Sequence, residues 1–100
     1  MRSSMIIAKV MGTAVASAKH AALSSTKILI ICPANIDGDI SGDPFLAVDL
    51  VGSGPGELVM VSQGSSARMA TDYKNSPADA AVVGILDSLQ YDEKIRFRKE

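Results

Sequence analysis

The sequence has few aromatic residues and a single cysteine. It contains two Tyr, two Phe and no Trp, so small and branched apolar side chains must fill any core that the chain forms. One cysteine allows no internal disulfide, and the apolar neighbours of Cys32 predict a buried, unreactive thiol. This cysteine usage fits a reducing compartment. One hundred residues are enough for one domain with one modest core.

The sequence also has no excess of charge of either sign. Ten Lys and Arg residues face eleven Asp and Glu residues, for a formal net charge of -1 at pH 7. The opposite signs are interspersed, so no basic tract is present to attract a phosphate backbone. We therefore expect no nucleic acid among the partners.

Long apolar runs are missing as well. No stretch approaches the ~20 apolar residues of a membrane-spanning helix, so we expect no membrane partner. The N-terminus imitates a secretory signal with Arg2, an apolar run from Met5 and a small-residue site near Ala16. However, Lys9 interrupts the run before it reaches the apolar length of about 7 to 15 residues that a signal needs. We expect residues 1–4 to be a short extension and residues 5–100 to form one β-barrel domain.

Short alternating apolar segments dominate the chain, and turn-forming residues bound each of them. Alternation with a period of two is typical of strands that bury one face. Gly12 inside the first segment indicates a bend or bulge, and Pro33 ends the second because it lacks an amide donor. The predicted strands comprise residues 5–15, 27–32, 45–51, 57–63, 80–89 and 95–98.

A turn with three glycines joins the third and fourth predicted strands. Gly52, Gly54 and Gly56 predict positive φ at one or more positions, and the flanking strands are expected to pair as a hairpin. A phosphate-binding loop is disfavoured, because this turn leads into Glu57 and another strand rather than into a helix. For Asp49 and Glu57, a polar contact that fixes the hairpin is favoured over an acid-base pair.

Two polar segments follow different patterns. Residues 35–44 are rich in Asn, Asp and Gly, which predicts an exposed and mobile acidic loop. After the fourth strand, Ser65 or Ser66 can cap a short helix. The free amides of such a helix start, together with Arg68, are able to bind an anion. A capped helix whose arginine contacts a neighbouring strand or subunit is the favoured interpretation.

These elements predict an all-β fold, a small closed OB-like β-barrel of five or six strands with one short helix. The chemistry-bearing residues form no coherent catalytic set. His20 is the sole histidine and has no second ligand at metal-binding spacing. The serines have no base beside them in the sequence. We therefore expect no enzyme activity, no cofactor and no metal.

Four ordered blocks of this sequence belong together, namely residues 7–15, 47–59, 64–68 and 77–87. With these blocks the chain resembles the EutN/CcmL family of bacterial microcompartment vertex proteins, from about Met5 to Arg98. The resemblance implies a β-barrel subunit that forms a homopentamer and caps the vertices of a cytoplasmic microcompartment shell, beside hexameric shell proteins. Its function would be geometric, since pentagons let a sheet of hexagonal tiles close.

Two blocks supply the candidate functional residues, as subunit contacts in a head-to-tail ring or as the lining of a pore. Ser53 and Leu58 stand where relatives often carry Ala and Trp, so the type of compartment stays open. The alternative function is an OB-like module that binds single-stranded nucleic acid or an anion, although the few aromatic residues lie far from basic clusters. The candidate residues are Gly52, Gly54, Gly56, Glu57, Gly64, Ser65, Ser66, Ala67 and Arg68.

Overall fold

The computed structural model describes residues 4–17, 26–64 and 79–100, and these residues form seven strands. None of the described residues belongs to a helix long and apolar enough to cross a bilayer. The short helix predicted after Gly64 lies outside the described residues. The strands are β1 (Ser4–Ala14), β2 (Lys27–Pro33), β3 (Phe45–Asp49), β4 (Leu58–Gln63), β5 (Ala80–Ile85), β6 (Ser88–Tyr91) and β7 (Lys94–Arg98).

Five strands close into a barrel in the order β1-β2-β3-β5-β4. All pairs are antiparallel except β3 with β5, which is parallel. The prediction of an all-β fold with a small closed barrel is confirmed. Because β4 pairs back to β1, each barrel strand has a neighbour on both sides, which removes the open edges that make flat sheets aggregate.

The long first strand turns a corner of this barrel. Its N-terminal half pairs with β4 and its C-terminal half with β2. The register of the second pairing shifts between Val10 and Gly12, so the bulge predicted at Gly12 is confirmed. A bulge increases local twist and bends the strand, which lets one strand serve two partners.

The core consists of aliphatic side chains, as the shortage of aromatic residues predicts. Phe45 is only partly buried and packs against the edge of the core. Cys32 is 5% exposed, so the prediction of a buried thiol is confirmed. The buried core residues are Ala8, Val10, Leu29, Ile31, Ala47, Val59, Val61, Ala80 and Val82.

The predicted hairpin of the third and fourth strands is wrong. β3 and β4 are not neighbours, because β5 inserts between them, parallel to β3 and antiparallel to β4. The glycine turn therefore connects two strands across an intervening one. Nearness in sequence favours pairing in an open sheet, but closing the barrel requires a strand from later in the chain.

The predicted strand over residues 80–89 is two strands. β5 ends at Ile85, and the next amide, that of Leu86, donates to Leu58 O at 2.9 Å. After Asp87 the chain leaves the barrel, and β6 pairs only with β7. We call β6, β7 and the turn between them the C-terminal hairpin. The sequence is apolar through Leu86, so its pattern does not show that β5 ends at Ile85.

The acidic loop over residues 35–44 forms a hydrogen-bonded turn, which we call the Asn35 turn. Asn35 Oδ1 accepts hydrogen bonds from the Asp37 and Asp39 amides, both at 3.0 Å. The Ser41 amide donates to Pro33 O at 2.8 Å. Asparagine side chains commonly hold turns in this way. The polar residues that mark this segment as a loop therefore also stabilise the turn. Its three carboxylates, those of Asp37, Asp39 and Asp43, are exposed, as expected.

Candidate functional site

The candidate glycine segment, residues 52–57, begins where β3 ends. Asp49 closes that end of the strand, because its Oδ1 accepts from the Val51 amide and from Ser53 Oγ, both at 3.2 Å. Ser53 is only 1% exposed, and its carbonyl accepts from Lys27 Nζ at 3.3 Å. The segment is therefore a fixed part of the barrel end.

Glu57 organises the second half of the glycine segment. Its Oε1 accepts a hydrogen bond from the Gly54 amide at 2.6 Å, while the Gly56 amide donates to Val10 O at 2.8 Å. The φ angles of Gly52 and Gly56 are 75° and 88°, which confirms the predicted positive φ. The expected contact between Asp49 and Glu57 is replaced by two separate sets of local hydrogen bonds.

A residue near the end of the chain completes this site. Lys99 Nζ lies 2.7 Å from Glu57 Oε2. Hydrogen bonds from Lys99 and then from the Gly54 amide hold the pKa of Glu57 below its ordinary value of 4.5. The same carboxylate raises the pKa of Lys99 above 10.5. Glu57 thus stays ionised and links the C-terminal tail to the glycine segment.

This arrangement stabilises the turn and offers little for catalysis or phosphate binding. A phosphate cradle needs free backbone amides, but Gly54 and Gly56 both donate within the protein. A general acid needs a raised pKa near working pH, and that of Glu57 is lowered. No group of three or more His, Cys, Asp or Glu residues able to hold a metal occurs within the described ranges.

The second candidate segment lies at the other end of β4. Gly64 has a φ of 69°, and its amide donates to Asp79 O at 2.8 Å. Ser65, Ser66, Ala67 and Arg68 lie outside the described residues. The six residues of β4 separate Gly64 from the glycine segment by ~20 Å, at about 3.3 Å per residue. Gly64 and the glycine segment therefore lie at opposite ends of β4.

The structure adds polar contacts that the sequence did not predict. Arg96 makes a bidentate ion pair with Asp37 of the Asn35 turn, with Nε 2.8 Å from Oδ1 and Nη2 3.1 Å from Oδ2. Its partner lies 59 residues away in the chain. No short-range pattern signals such a pair, because only the folded barrel brings the C-terminal hairpin beside residue 37.

Comparison with known proteins agrees with this fold. Residues 5–87 match the family model described as ethanolamine utilisation protein EutN/carboxysome. The microcompartment shell vertex protein GrpN of Rhodospirillum rubrum is 44% identical over 86 residues, which cover 86% of this chain and 97% of GrpN.

Solved structures show the same likeness. A structure of the ethanolamine utilization protein EutN superposes with a TM-score of 0.87 at 34% identity and covers 95% of this chain and 99% of its own. The structure of R. rubrum GrpN, a pentameric microcompartment shell protein, has a TM-score of 0.78 at 42% identity and covers 86% and 98%. The resemblance carried by the four sequence blocks is confirmed. The chain therefore belongs to the EutN/CcmL family, the vertex proteins of bacterial microcompartment shells.

Proposed function

We propose that this protein forms a homopentamer that occupies the five-fold vertices of a microcompartment shell. The observation that carries the proposal is the likeness to GrpN, a pentameric shell protein matched over 98% of its length at 42% identity. The closed barrel fits this role, because it has no free strand edge along which copies can add without limit. Subunit contacts must then use side chains, loops and the hairpin, which suits a closed ring.

The role of such a ring is geometric. Hexagonal tiles alone make a flat sheet, and a five-fold unit at each corner supplies the curvature that closes it. The partners expected at the rim are hexameric shell proteins of the same compartment. This function requires no catalytic residue, and the internal bonds of Asp49, Glu57 and Gly54 support a structural use of the glycine segment.

Two surfaces are candidates for the contacts within the ring. One is the glycine segment with Gly52, Gly54, Gly56 and Glu57, and the other is the segment of residues 64–68. In a cyclic ring, one patch of each subunit meets a different patch of the next. Gly64 and the glycine segment lie at opposite ends of β4, which suits such a head-to-tail contact.

Native mass spectrometry tests the proposed pentamer directly. The chain has a mass of 10.4 kDa, and we expect the dominant species to have five times that mass. Coexpression with a hexameric shell protein should give closed shells, whereas the hexameric protein alone should give sheets or tubes. A protein that stays monomeric at high concentration contradicts the proposal.

Replacement of Arg68 tests the second surface. Arg68→Glu should weaken the pentamer, while Arg2→Glu, which makes the same charge change in the N-terminal extension, should leave it intact. An Arg68→Glu protein with the pentamer stability of the wild type removes this arginine from the interface.

A further inference from the structure

The second strand, β2, is apolar on both of its faces. Leu29 and Ile31 lie in the barrel core. Because successive side chains of a strand point to opposite faces, Ile28 and Ile30 lie on the outer face. An antiparallel sheet with one face in water usually alternates apolar and polar residues, and a continuous apolar run is typical of a strand covered on both sides. The composition of β2 therefore indicates that its outer face is covered in the working protein.

The strands on either side of β2 extend this outer face. Ile30 lies opposite Leu46 of β3 and opposite Gly12 of β1, and Ile28 lies opposite Ala14. Residues paired across neighbouring strands share a face of the sheet, so the pairing places these five residues on one side. We call Gly12, Ala14, Ile28, Ile30 and Leu46 the apolar face. None of the five is charged.

A single subunit leaves the apolar face uncovered. Leu46 is 58% exposed, and Ile28 and Ile30 are partly exposed. Val48, the next outward residue of β3, is by contrast only 4% exposed and packs against Ala81 of β5. The outer side of the barrel is therefore closed within the subunit from Val48 towards β5, but it is open over β2 and the start of β3.

The described part of the subunit gives no reason for glycine at position 12. A Cβ added there would meet no atom within 4 Å, and the φ angle of Gly12 is not in the positive range that side chains disfavour. The neighbouring bulge does not require glycine either, because only the glycine type of bulge needs a positive φ. Glycine in a strand also marks a place where another backbone approaches closely.

We propose that a second copy of this chain covers the apolar face in the ring, with Gly12 at the closest approach of the two copies. The inference rests on the proposed pentamer and adds a contact to its two candidate segments. A second copy is the occupant because GrpN, 42% identical to this chain, is pentameric. Permanent contacts between identical subunits are more apolar than contacts with separate partners, so an uncharged face suits a subunit contact better than the rim. In a ring, this face meets a different patch of the next copy.

Side chains added at Gly12 test the closest approach. Gly12→Ala and Gly12→Val should leave the urea midpoint of the dissociated subunit unchanged or higher, since the space is open and both residues suit a strand better than glycine. In the ring they should clash with the next copy. The concentration at which the ring half-dissociates should rise by roughly tenfold or more for Gly12→Val, and by less for Gly12→Ala. Native mass spectrometry across a dilution series measures this concentration.

Leu46 supplies a test that does not involve glycine. Leu46→Glu places a carboxylate where one subunit is already exposed, so the subunit should fold, but covering this charge in the ring removes it from water without a partner. The half-dissociation concentration should rise by roughly tenfold or more. Leu46→Ile, which keeps the volume, should form the ring as the wild type does. The matched control is Met5→Glu, at a 61% exposed position near the opposite end of β1 from Gly12, and it should leave the ring intact.

Thiol labelling measures the covering of this face in the intact ring. Leu46→Cys and Met5→Cys place thiols at positions of similar exposure in one subunit, while Cys32 is buried. In the ring, the Leu46→Cys thiol should react with a maleimide roughly tenfold more slowly than the Met5→Cys thiol, because access controls labelling.

The outcomes separate this inference from the proposed function. A wild type that is never pentameric overturns both. With a pentameric wild type, the inference alone is overturned if Gly12→Val and Leu46→Glu dissociate like the wild type, if Met5→Glu dissociates as readily as Leu46→Glu, or if both thiols are labelled equally fast. Variants that stay pentameric but no longer enter shells with a hexameric protein also overturn it, since the apolar face then meets another tile.

Discussion

The barrel and the C-terminal hairpin obtain their order in different ways. Every barrel strand has two paired neighbours, and its inward side chains, such as Leu29 and Val82, are fully buried. The hairpin has one pairing, two open edges and no fully buried side chain. Its attachment to the rest of the chain depends on Arg96, Phe97 and Lys99.

This difference shows which region carries stability. Burial of aliphatic side chains contributes about 25 cal/mol per Å² of apolar surface, so the barrel is stable through its core. Exposed ion pairs such as Arg96 with Asp37 contribute at most about 1 kcal/mol. The barrel accordingly contributes most of the free energy of unfolding, and the hairpin contributes little.

The largest expected effect compares one leucine in each region. Leu29→Ala empties a fully buried position and should lower the free energy of unfolding by about 2 to 5 kcal/mol. The matched change Leu89→Ala affects a partly buried residue of β6 and should lower it by less than about 1.5 kcal/mol. Urea unfolding followed by circular dichroism measures both. Equal losses for the two variants contradict a barrel-centred core.

The next effect concerns the junction between the two regions. Gly38 has a φ of +87° and no room for a Cβ beside Phe97, whereas Gly52 has a φ of +75° and nothing within 4 Å. Gly52→Ala should therefore cost only the backbone strain, about 1 to 2 kcal/mol. Gly38→Ala should cost more, because Phe97 must also move.

Hydrogen exchange separates these two glycine variants further. Amides of β6 and β7 should exchange faster in Gly38→Ala, since the hairpin loses its support on the Asn35 turn. They should keep the wild-type rate in Gly52→Ala. Unchanged exchange in both variants would mean that Phe97 does not anchor the hairpin.

The smallest effect is the pH dependence of the link between Glu57 and Lys99. The pKa of Glu57 is lower in the folded protein than its ordinary value of 4.5, so its contribution to stability is present above that value. It is lost as the pH falls below 4.5 and the carboxylate becomes protonated. The pKa of Lys99 is raised above 10.5, so its contribution disappears only as the pH rises beyond that value.

Two variants of this link sharpen the measurement. Glu57→Gln should flatten the acid limb of the plot of the urea midpoint against pH. Lys99→Met should flatten it only in part, because Glu57 keeps its hydrogen bond from the Gly54 amide. An acid limb in Glu57→Gln as steep as that of the wild type would assign the dependence to other carboxylates.

Local features of the fold were predictable from the sequence. The positive φ of Gly52 and Gly56, the bulge at Gly12 and the burial of Cys32 all follow from the conformational range or polarity of single residues. The sequence predicts the exposed loop over residues 35–44, but it does not predict that the Asn35 side chain accepts the Asp37 and Asp39 amides.

Contacts between distant residues were not predictable in this way. The parallel pairing of β3 with β5, the link from Lys99 to Glu57 and the pair of Arg96 with Asp37 join residues far apart in the chain. Periodicity says which face of a strand is buried but does not identify its neighbour. The sequence therefore predicts the turn at residues 52–57. It does not predict that Lys99 completes the hydrogen bonding of this turn.

The sequence by itself determined the strand-rich barrel class, the aliphatic core and the family, because each depends on short-range pattern and composition. Only the tertiary structure decided that β5 separates β3 from β4 and that the last strands leave the barrel as a hairpin. Strand neighbours are chosen by barrel closure, a condition that all strands satisfy together. That same closure left the hairpin outside the barrel, where β6 and β7 pair only with each other.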